Sequence, residues 1–180
     1  MVQENNDPLT PQKLAGDLAT FAIDRNDLKQ LLAVVPKGSS LNLTTLEYEL
    51  QILKILSVGW AISFFMPASD VNKAPVTHTF WELIREIANN ISTLTQATAG
   101  TRLDYFDILK TRLDIYVKTM QDAPQDIQNP VNVMGPAFAD LCSAKNDAVA
   151  ILLGTKMFTL TMGAVKEYLN AVKLKDTKLN

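Results

Sequence analysis

The chain has 180 residues, 47% of them hydrophobic and 20% charged, with 17 Lys and Arg against 19 Asp and Glu for a net charge of −2. That balance belongs to a folded globular chain and supplies no long-range positive field, so no nucleic-acid partner is expected. One cysteine, Cys142, and one histidine, His78, exclude an internal disulfide framework and any metal site or catalytic group that needs two of either.

Leu, Ile, Val and aromatic residues recur at three- and four-residue spacings through most of the sequence, which is the helical period. The expected fold class is therefore all-α: a single-domain bundle of about five principal helices over residues 10–173, with a long C-terminal helix and flexible ends at 1–9 and 174–180. The first helix starts with Thr10 as N-cap and Pro11 in the first turn, and its stripe runs Leu14, Leu18, Phe21, Leu28, Leu32 and Val35. The polar patch Asp24–Asp27 bends it or splits it in two, and Pro36 and Gly38 end it. A second helix opens with Thr44 and Glu47 at capping-box spacing and reaches about Met66. Apolar side chains point in most directions along it, as in a central helix or one in lipid.

The third helix is expected to begin near Thr79, with Glu82 completing another capping box, after a loop that contains Pro67 and Pro75. Its core stripe is Phe80, Leu83 or Ile84, Ile87, Ile91 and Leu94, and Gly100 stops it. A short connection then favours an antiparallel hairpin with a fourth helix, which turns Phe106, Leu109, Leu113, Tyr116 and Met120 inward. Lys110, Asp114 and Lys118 at four-residue spacing mark its solvent face. A Pro-, Asn- and Gln-rich loop over Ala123–Pro136 leads into the last helix, expected from about Pro136 to Lys173.

Sites are scarce. His78, Glu82 and Glu86 share one helical stripe, but a lone histidine falls short of the ligand sets of zinc proteases and di-iron bundles, and carboxylates near a helix start are favoured by its dipole anyway. Cys142 reads as a small buried hydrophobe. No phosphate-binding glycine loop or nucleophile elbow is present, so no catalytic residue, metal or cofactor is expected.

The reading that remains is a non-catalytic helical module for protein interaction or self-assembly, in a cytoplasmic setting because no signal-like segment is seen. Val131, Val133 and Met134 in the Pro-rich loop, and Tyr168 and Leu169 near the end of the last helix, are the expected partner-binding residues. One alternative is a membrane-associated protein that releases the apolar 50–66 segment into lipid, although Lys54 interrupts it. Another is a small-molecule receptor or enzyme with a site in the bundle core. Arg25 and Lys54, each interrupting an apolar stripe, would then meet an acidic ligand unless they pair internally or reach solvent.

Overall fold

Residues 8–123 and 130–174 are described by a computed structural model of the chain. Among the described residues seven helices follow one another: α1 Pro11–Ile23, α2 Asn26–Leu32, α3 Leu43–Phe65, α4 Lys73–Ala99, α5 Tyr105–Gln121, α6 Val131–Leu141 and α7 Ala148–Ala171. The class is all-α, a bundle with a long C-terminal helix. Residues 1–7 and 175–180, assigned above to flexible ends, lie outside the described residues, as does Pro124 with the rest of 124–129. Leu9 and Leu174 do not fray, since the Leu9 amide donates to the Lys173 carbonyl at 2.8 Å and the two strands of chain bridge in parallel.

The count exceeds five because two expected helices are each divided. Thr10 caps α1 as its sequence implies, accepting from the Lys13 amide. The break at Asp24 and Arg25 then divides the first helix, and two side chains of α3 stitch it: Gln51 donates to the Ala22 carbonyl at 2.7 Å, Lys54 donates to the Asp24 carbonyl at 2.9 Å, and Lys54 also pairs with Asp27 at 2.8 Å. Carbonyls orphaned by the end of α1 thus find partners on another helix. The last helix divides at 142–147. Ser143 takes a left-handed φ of 57°, and Asp147 restarts the chain by accepting from the Val149 and Ala150 amides at 2.8 and 2.9 Å.

Three expected starts move. Asn42, not Thr44, caps α3 by accepting from the Thr45 amide, which frees Glu47 to pair with Arg25. Helix α4 begins at Lys73, because Pro75 falls in the first turn where its missing amide hydrogen costs nothing; Thr79 and Glu82 are therefore interior. Helix α6 begins at Val131, which puts Pro136 inside it. Packing decides that start: Gly135 approaches α7 so closely that a Cβ there would lie 2.7 Å from the Ile151 carbonyl oxygen, and Phe138 fills the space over Gly154.

Helices α3 and α7 form the centre. They run parallel: Asn42 and Asp147, their caps, line one cleft, Trp60 meets Phe158 edge-on, and Lys166 lies over the Phe65 ring. Helix α3 buries residues on all sides, from Leu46 through Ile62. Helix α4 runs antiparallel to it, with Gly59 admitting the Trp81 indole. Helix α5 completes the hairpin and joins α3 through Arg112, which donates three hydrogen bonds of 2.7–3.1 Å to the buried carboxylate of Glu49.

Candidate functional site

Helix α4 outruns the fold. Its stripe buries Val76, Phe80, Ile84 and Ala88, and no residue from Asn89 to Ala99 is buried. The expected core positions Ile91 and Leu94 are instead 37% and 63% exposed. The cause is where α5 begins: the Tyr105 amide donates to Ser92 Oγ at 3.0 Å, so α5 starts level with Ser92 and the last two turns of α4 pass beyond it. Gly100, at φ 67°, then turns the chain back.

Beneath this overhang lies a groove of about 550 Å³. Ile87, Ile91 and Thr95 of α4 form one wall, and Ile23 and Arg25 at the α1–α2 break face them. Thr44, Glu47, Tyr48, Gln51 and Ile55 of α3 make the floor, closed by Leu103 and Tyr105. Its surface is mainly aliphatic and aromatic, and Tyr48 and Tyr105 meet edge to face with centroids 6.0 Å apart. Burial, with Glu49 adding to it, pushes both phenols above their ordinary values, so they stay neutral in the physiological range. Arg25 and Glu47 form an ion pair on the groove wall.

The overhang has a second property. From Ile87 to Thr101 the sequence contains no Asp, Glu, Lys or Arg. Its hydroxyls turn inward along the helix: Ser92, Thr93, Thr95 and Thr98 donate to the carbonyls of Ala88, Asn89, Ile91 and Leu94 at 2.8–2.9 Å. What remains outward is methyl groups, the Ile91 and Leu94 side chains and a few carboxamides. An exposed helix face without charge is unusual for a solvated surface, where both signs are normally interspersed.

The residues singled out from the sequence fall elsewhere, with one exception. Arg25 lines the groove, 57% exposed and paired with Glu47. Lys54 is 0% exposed, bonded to Asp24 and Asp27 and 4.3 Å from the Phe21 centroid, so its charge is met inside the protein. Val133 and Met134 are 6% and 1% exposed in the core, so the face they were expected to offer a partner is turned inward, and Val131 packs against the same core. Tyr168 donates to Asp17 at 2.8 Å across α1 and α7; Leu169 packs on the core beside it. Burial and Asp17 push the Tyr168 phenol up to about 12.

His78, Glu82 and Glu86 lie on the exposed face of α4, Glu82 pairing with Arg85 at 3.0 Å. Among the described residues no group of three His, Cys, Asp or Glu is arranged to hold a metal. Burial first, and the negative Glu49 second, push the Cys142 thiol up to about 12, away from nucleophilic use. The 50–66 segment lies largely in the core; the described helix long and apolar enough to cross a membrane is α7, which packs on α3 along one side and leaves Leu152 and Leu160 exposed on another. No family model matches the chain, and neither a curated protein nor a solved structure is significantly similar to it.

Proposed function

We propose that the chain is a non-catalytic interaction module that receives a helix of a partner protein along the outer half of α4. The observation that carries this reading is an apolar helical stripe, Ile87–Ile91–Leu94, that continues past the point where the described residues cover it and whose Ile87 and Ile91 wall an aliphatic groove. Helix-in-groove recognition uses anchors at this spacing, and a groove of about 550 Å³ has room for two or three of them. The polar groups on its walls support binding over chemistry. Arg25 and Glu47 neutralise one another, the phenols are held neutral, and the thiol of Cys142 lies at another part of the molecule.

A cysteine footprint tests the reading. Leu94→Cys and, as a control on the charged face of the same helix, Glu86→Cys are each made in a Cys142→Ala background and treated with a maleimide. Position 94 is expected to be labelled quickly in dilute pure protein and to be protected in an extract of the cells that make it, while position 86 stays reactive in both. Equal labelling of position 94 with and without extract, and at high and low protein concentration, would contradict it.

A further inference from the structure

We infer that the groove under the α4 overhang is a binding site for a small uncharged molecule, an aliphatic or aromatic body with a carbonyl oxygen that the phenols of Tyr48 and Tyr105 take up. The inference goes beyond the partner reading and is separable from it. A molecule on the groove floor takes the place of a partner's anchor there, while Leu94, where the partner is footprinted, is not among the residues that line the groove.

The observation that points to a ligand is an unpartnered polar group on that floor. Tyr105 is 5% exposed and lines the groove, so the little surface it keeps opens there. Its hydroxyl has no hydrogen-bond partner among the described residues, yet it is not one of the sealed unpaired atoms, which are Gln51 Oε1 and Tyr116 Oη. It is therefore a donor that reaches the groove unspent. Tyr48, half-buried beside it, likewise has a hydroxyl without a partner among the described residues. Tyr48 and Arg25 both act electrostatically on the Tyr105 hydroxyl, which gathers the three polar tips in one part of the groove.

Charge selects a neutral molecule. Arg25 and Glu47 answer one another on the wall, and Arg112 behind the floor is spent on Glu49 through three hydrogen bonds. A carboxylate or phosphate in the groove would meet no unspent cation, and an ammonium no unspent carboxylate, so either would lose its hydration without compensation. Burial chiefly keeps both phenols protonated, and each then has one O–H to give. A carbonyl oxygen has two lone pairs, one for each phenol.

Size and lining agree. The volume of about 550 Å³ lies within the roughly 300–1,000 Å³ of small-molecule sites, and as in those sites apolar walls, here Ile55, Ile87 and Leu103, surround a few polar groups that fix orientation.

Prodan, a neutral naphthalene ketone whose emission reports both local polarity and hydrogen bonding to its carbonyl, tests this on the full chain. Titration is expected to show saturable binding of one probe per chain, and Ile87→Trp, which fills the groove, is expected to abolish it. Tyr48→Phe and Tyr105→Phe together keep the rings and remove both donors; affinity is expected to fall about tenfold and the bound probe's emission to move to the blue. Circular dichroism checks that each variant keeps its helical signal. The anionic probe anilinonaphthalene sulfonate is expected to show no saturable binding that Ile87→Trp removes. Absence of saturable Prodan binding, binding that persists in a folded Ile87→Trp chain, or unchanged affinity and emission in the double phenylalanine variant would overturn the inference. Equally tight binding of the sulfonate in the groove would overturn it too, since the ligand would then not have to be neutral.

Discussion

Tyr116 is fully buried, stacked edge-on against Trp60 with centroids 6.0 Å apart, and its hydroxyl has no hydrogen-bond partner among the described residues. An unpaired buried hydroxyl costs free energy that its ring does not, so Tyr116→Phe is expected to leave stability unchanged or raise it by up to about 1 kcal/mol, read from urea unfolding. A loss of about 1 kcal/mol or more would mean that the hydroxyl is bonded after all. Glu49 and Arg112, the buried bidentate pair nearby, escaped the sequence reading altogether. Glu49 sits two positions from Glu47 on a helix with apolar residues on all sides, and nothing local distinguishes the carboxylate that is buried from the one that is not. The partner lies 63 residues away.

At the scale of the element, the stitched break between α1 and α2 explains a residue that looked anomalous. A lysine within an apolar stripe invites a ligand only if its charge has no internal answer, and here the interruption of another helix provides a carbonyl, a carboxylate and an aromatic face. Lys54→Ala is expected to destabilise the fold by about 3 kcal/mol, since it leaves a cavity and strips the Asp24 carbonyl of its donor. Lys54→Met, which keeps most of the volume, should cost clearly less. Equal and small losses in both variants, measured by urea unfolding, would show that the break holds without the ammonium. The possibility of a break was legible at Asp24–Asp27 because four polar residues interrupt the stripe. The second break was hidden, because Cys142, Ala144 and Ala148 continue the apolar period across 142–147 while the left-handed Ser143 ends the helix. Likewise Thr44–Glu47 and Thr79–Glu82 both have the capping-box spacing, but a spacing does not say whether the chain upstream is already helical. Pro75 in the first turn of α4 and the Asn42 cap decide those cases.

For the molecule as a whole, helix class and the central place of α3 follow from periodicity, because a helix buried on all sides has no polar face to write. The candidate site does not. Periodicity assigns Ile91 and Leu94 to the core since it reports one side of a helix, not whether anything covers that side. The available signal was different: fifteen residues without charge, Ile87 to Thr101, on a helix whose preceding turns carry His78, Glu82, Arg85 and Glu86 on their outer face. An apolar stripe with a polar back belongs to a helix lying on a bundle, and here the stripe runs on after the charged back has given way to an uncharged polar one. Under the function proposed above, the uncovered side of the overhang receives a helix of another chain, which a second copy could supply. Amide hydrogen exchange on the unmodified protein at about 10 µM and about 1 mM is the most direct measurement of that contact, because it maps protection to a segment. Exchange across residues 89–99 is expected to slow at the higher concentration while the rest of the surface is unchanged. Identical exchange at the two concentrations, or slowing confined to another face, would contradict association through α4.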